Sequence, residues 1–137
     1  MRAAGWGRPE GAFGWDLEEK GRVLLNLYEK AAACMREAIE LIEAGEMVEK
    51  GKRLIQAQDI VLLLSDALDE KAAPGSEVLS GNLRRLYLYL YRLLVRGNNE
   101  LDVEAILEAR RLMEKLYSAW SQVVEEGTAF PPGRASG

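Results

Sequence analysis

The sequence predicts an all-α protein, an antiparallel up-down four-helix bundle with flexible N- and C-terminal tails. Three observations carry that expectation. Apolar residues recur at three- and four-residue spacing in four successive stretches of similar length. Good helix formers dominate those stretches, and no alternating run of β-branched residues suggests a strand. Between them lie the residues that end helices or start them: Gly45, then Pro74-Gly75-Ser76, then Gly97-Asn98-Asn99 with Asp102.

The first helix is expected over about Leu17 to Glu43, with Leu24, Leu27, Tyr28, Ala31, Met35, Ala38 and Ile42 on its core face and Gly45 closing it. The second is expected over about Met47 to Glu70. Its core stripe is Leu54, Ala57, Val61, Leu64 and Leu68, with Ile55, Leu62 and Leu63 left over. The turn at 72–76 follows, and Ser76 is positioned to cap the third helix.

The third helix, about Val78 to Arg96, contains the least ordinary stretch of the chain. Leu86-Tyr87-Leu88-Tyr89-Leu90-Tyr91 alternates like a strand inside a helical context. On a helical wheel Leu79, Leu83, Leu86, Leu90, Leu93 and Leu94 share a core face, while Tyr87, Leu88, Tyr91 and Val95 form a second apolar stripe beside it. Arg85, Arg92 and Arg96 make a polar strip on the remaining side. The fourth helix begins after an Asp102 cap and places Ile106, Ala109, Met113, Leu116, Trp120 and Val123 on one face, with Tyr117 beside it. Helices of roughly 20–27 residues span about 30–40 Å, and connections this short make sequential neighbours antiparallel.

The expected division is a leader over 1–16, a bundle over 17–126 and a disordered tail over 127–137. Gly5, Gly7, Gly11 and Gly14 alternate in the leader with Trp6, Phe13 and Trp15. That composition fits either a flexible segment with chance hydrophobes or one that folds back over an apolar surface and competes with a client. In the second case, deleting the leader should raise client affinity.

Composition excludes several functions. The chain has 137 residues, enough for one domain with a real core, and a net charge of −4 that speaks against a nucleic-acid-tracking surface. No apolar run of about 18 residues suggests a membrane span, and no secretory leader pattern opens the chain, so a cytosolic, soluble protein is expected. The absence of histidine removes most acid–base, triad and zinc chemistry. The lone Cys34, in a run of small helical residues, reads as a small buried hydrophobe. Lys50, Lys52 and Arg53 read as a solvated helix start. No phosphate-binding loop is visible. An enzyme is not expected, and neither is a catalytic residue, a cofactor or a metal.

The leftover apolar residues belong to the second and third helices, which should pack side by side. Ile55, Leu62, Tyr87, Leu88, Tyr91 and Val95 are therefore the candidate partner-binding residues, lining a groove suited to an amphipathic helix or a segment that folds on binding. Burial of the same residues by wider helix faces, or by a dimer contact, is the alternative from the wheel alone.

The wording of the helices resembles the flagellin export chaperone family FliS. Val23-Leu24-Leu25-Asn26-Leu27-Tyr28-Glu29-Lys30-Ala31 is similar to that family's Leu-rich opening of the first helix. Ala57-Gln58-Asp59-Ile60-Val61, followed by Leu64 and by Leu68-Asp69, resembles its second-helix signature and is the most specific match. Asn82-Leu83, Leu86-Tyr87, Tyr89 and Leu94 resemble its third helix, and Asn98 to Asp102 leading to Leu116 and Trp120 its fourth. The likeness covers about Val23 to Val124. It departs at the start, where Gly14-Trp15-Asp16-Leu17 stands in place of a tyrosine-bearing segment and a Thr-Ala-Ser-Pro-like cap, and at Asn26, a position commonly apolar in the family.

The resemblance implies a cytosolic chaperone that binds the disordered C-terminal segment of flagellin, prevents its premature polymerisation and keeps it competent for type III export. The implied partners are flagellin and the flagellar export gate, with no nucleic acid and no membrane insertion, in a monomer or weak homodimer. The competing expectation is a helical adaptor or a paralogue that dimerises, or binds another helical partner, through the surface of the second and third helices.

Overall fold

The computed structural model describes residues 16–70 and 77–126, which form four helices: α1 (Asp16–Glu43), α2 (Met47–Glu70), α3 (Glu77–Glu100) and α4 (Val103–Glu126). The described chain is all-α. The leader as far as Trp15, the tail and the turn with its expected Ser76 cap lie outside the described residues, while Asp16, expected in the leader, opens α1. Each helix packs closely on two others, α1 on α2 and α4, and α3 on the same two, so α1 and α3 occupy opposite corners of a square. This is the up-down order that short connections impose.

The α1–α2 connection is a Schellman turn. Glu46 N–H donates to the Leu41 carbonyl (2.8 Å) and Gly45 N–H to that of Ile42 (3.0 Å), with Gly45 at φ 79°. A side chain at that φ would strain against the backbone, so the glycine belongs there. At the α3–α4 corner the Asp102 carboxylate accepts from Ala105 N–H at 3.1 Å, the cap expected from sequence. The preceding Leu101 turns the chain at φ 54°.

That corner corrects one expectation. Gly97, Asn98 and Asn99 lie inside α3, which runs on to Glu100. Gly97 is buried, and a Cβ there would run into Ile106 Cγ1 of α4. Its role is close approach between helices and not termination. Asn98 in turn receives Lys50 of α2, which is 7% exposed: the ammonium donates to the Asn98 backbone oxygen at 3.1 Å and to Oδ1 at 2.6 Å. A cation supplied to the last turn of α3 compensates carbonyls that have no helical partner. Lys50 is thus a packed capping group, whereas the sequence suggested a solvated one.

The core is one continuous cluster that draws on all four helices, from Tyr28, Met35 and Leu54 through Val61, Leu90 and Leu94 to Ile106 and Met113. The expected stripes of α1, α2 and α4 face it, with Leu24, Leu27, Ile42, Leu68, Leu116 and Trp120 half-buried at its edge. Trp120 is therefore a residue at the rim of the core.

Candidate partner-binding site

Five of the six candidate residues lie along one seam at the surface, and the sixth does not. Ile55, Leu62 and Leu88 are about half exposed (52%, 45% and 50%), a large share for aliphatic side chains. Tyr91 and Val95 are half-buried beside them, with Tyr91 packed on the core. Tyr87 is 2% exposed and belongs to the core, which corrects its assignment to a free stripe.

The burial of Tyr87 has a chemical reason. The Tyr87 hydroxyl lies 2.7 Å from that of Tyr28, which is fully buried, so two diagonal helices meet through paired phenols at the bundle centre. The Trp120 side chain acts on the same phenol in the lowering direction, against burial. An amphipathic ring can lie in a core when its polar tip has a partner there. Burial, followed by the neighbouring Tyr87, pushes the Tyr28 phenol far above its ordinary value. Burial likewise raises Tyr87, opposed by its bond with Tyr28.

The geometry of the groove follows from the contact between Lys50 and Asn98. Around α2, at about 100° per residue, Leu62 and Ile55 fall between Gly51, on the flank next to Asn98, and the outward-facing Asp66 and Asp59. Around α3, Val95 and Leu88 fall between Asn98 on the α2 side and the outward Arg92. Both sets therefore line the α2–α3 seam. Counting equal steps in opposite directions from the Lys50–Asn98 pair sets Ile55 level with Leu93, midway between Tyr91 and Val95, and Leu62 level with Leu86, close to Leu88. The result is an apolar strip that a helix or an extended segment could cover.

Other surfaces are of a different kind. An open hollow of about 290 Å³ between α3 and α4 is lined by Arg96, Asp102, Glu104, Glu108 and Arg111 over Leu93 and Ala105, so opposite charges face one another there. Tyr89, exposed on that side, hydrogen-bonds Glu108. Cys34 is buried, and burial and then Glu37 push its thiol above the ordinary range, away from thiolate chemistry. Among the described residues no group of three or more His, Cys, Asp or Glu comes together as a metal site, and no helix is long and apolar enough to cross a membrane.

A family model described as flagellar protein FliS matches residues 16–127, the whole bundle. The chain belongs to the FliS family. It is 30% identical over 105 residues to the flagellar secretion chaperone FliS of Bacillus subtilis (strain 168), covering 77% of this chain and 75% of the relative. Against the flagellar secretion chaperone FliS of Salmonella typhimurium (strain LT2) it is 33% identical over 98 residues, 71% of this chain and 70% of the relative. The flagellar secretion chaperone FliSB of Pseudomonas aeruginosa is 34% identical over 82 residues, 60% and 63% of the two chains. Within this FliS bundle, the departure at Asn26 is accommodated without cost to the core, because that side chain is exposed.

Proposed function

We propose that this FliS-family chain is a flagellar secretion chaperone that binds the C-terminal segment of flagellin in the α2–α3 groove and keeps it from assembling before export. The single observation behind this reading is the strip of Ile55, Leu62 and Leu88, large aliphatic side chains left about half exposed beside Tyr91 and Val95 along one seam. A client segment that is unstructured alone would order its apolar residues against that strip, offsetting its entropy loss with the area buried. The relatives named as flagellar secretion chaperones support the role. No nucleotide chemistry is needed, since release follows from competition at a reversible site.

The test is titration calorimetry with a flagellin C-terminal segment against the wild-type chain and the Ile55→Asp and Leu62→Asp variants. Both positions are exposed, so the variants should keep their melting temperatures within a few degrees while losing affinity by about tenfold or more. Unchanged affinity would reject the groove as the client site. A concentration-dependent dimer that Leu62→Asp dissolves, with no flagellin binding in either form, would instead make this the surface of a self-pairing adaptor.

A further inference from the structure

We infer that the α2–α3 groove is charge-split and that this asymmetry fixes the direction in which a helical client lies, an inference that rests on the groove being the client site. From Leu54 to Leu68 the only charged residues of α2 are Asp59 and Asp66, whereas α3 carries Arg84, Arg85, Arg92 and Arg96 with no acidic residue between Val78 and Asn99. All six are exposed. On the wheel Asp59 and Asp66 form the outer ridge of α2, and Arg85 and Arg92 that of α3, with Ile55, Leu62, Leu88 and Val95 between them. Among the described residues no ion pair engages Asp59, Asp66 or Arg92, and Arg85 is held only by a hydrogen bond to Asn82 Oδ1 (2.9 Å). A floor that is apolar apart from Arg84 at the Asp66 end thus runs between an acidic wall and a basic wall.

Ile55 and Leu62 are seven residues apart, about 10 Å along the axis, which matches the spacing of one heptad in an occupant helix. The handedness of that occupant then connects charge to direction. The Arg53–Glu37 contact at 2.9 Å puts α1 on one flank of α2, and Gly51 beside Asn98 puts α3 on the other. A right-handed helix lying parallel to α2 with its apolar residues on the floor therefore turns the residue after each apolar one toward α3 and the residue before it toward α2. Parallel to α2, the favoured occupant has basic residues before its floor residues and acidic ones after. The reversed charge order favours the opposite direction. Single exposed pairs are weak, but every pair changes sign when the helix is turned round, so the preference sums over the wall residues.

The experiment uses the full chain and two synthetic peptides of about 20 residues with leucines seven apart. One has Lys before and Glu after each leucine, the other the reverse, and each carries a spin label at its N-terminus. For the first peptide, amide broadening should concentrate at the Val48 and Asn99 end of the groove. For the second it should move to the Asp66 and Asn82 end, and both preferences should shrink as salt rises. The variant Asp59→Lys, Asp66→Lys, Arg85→Glu, Arg92→Glu, altered only at exposed positions, should exchange the two patterns. The same pattern for both peptides, broadening at both ends equally, or no binding of either peptide overturns the inference, and the wild-type comparison decides it even if the variant misfolds. Correct sorting of the peptides without flagellin binding rejects the flagellin reading alone. Flagellin binding with unsorted peptides rejects the charge inference alone.

Discussion

At the scale of single residues, the paired phenols determine how the bundle behaves. Tyr28 and Tyr87 are neutral in the fold and have raised folded-state values, while in the unfolded chain both ionise near pH 10. Their contribution to stability is therefore fully present below about pH 10 and is lost as pH rises through the folded-state values, at up to about 1.4 kcal/mol per pH unit for a phenol still neutral in the fold. Denaturant titrations between pH 8 and 11 should show this slope, and the double variant Tyr28→Phe, Tyr87→Phe should flatten it. At neutral pH, Tyr28→Phe and Tyr87→Phe each leave the other phenol buried without its hydrogen-bond partner, and each should cost about 1–3 kcal/mol. A cost near zero for both would mean the phenol pair contributes nothing to stability. Cys34 should react with a thiol reagent only at the rate of global opening, because it is buried with its thiol pushed upward.

At the scale of elements, the corner where α2, α3 and α4 meet is held by two local devices. Lys50→Met removes both donors from Asn98 and should cost about 1–3 kcal/mol in chemical denaturation, although a solvated lysine would give nearly nothing. Gly97→Ala should cost about 1–3 kcal/mol by overpacking against Ile106, and less in an Ile106→Ala background, where the added methyl has room. A cycle with no coupling between the two sites would show that the helices simply move apart. The groove is set by the same corner, since the Lys50–Asn98 contact fixes the register of α2 against α3 and so the levels of Ile55, Leu62, Leu88 and Val95.

At the scale of the whole molecule, one core shared by four helices predicts one cooperative transition, with circular dichroism and tyrosine absorbance melting together. A biphasic melt would mean that α3, which lies diagonal to α1 and meets it at the phenol pair, opens first. The helices, their order, the Gly45 turn and the Asp102 cap were legible in the sequence because each depends on local spacing or on a single residue's backbone preference. The stripes of α1, α2 and α4 were legible for the same reason, as were the exposed Ile55, Leu62 and Leu88. Tyr87 was not, because its burial depends on a hydroxyl from the diagonal helix, a partner 59 residues away. Gly97 read as a stop for a similar reason: locally a glycine ends a helix, and only the approach of Ile106 makes it a point of contact. Lys50 read as solvated until α3 brought a helix end to it. The sequence by itself determined which residues form helices and which apolar faces exist, because periodicity is a property of one segment. Only the tertiary structure decided how wide each buried face is and which polar groups go inside, because burial and hydrogen-bond satisfaction depend on what the other three helices bring to the same place.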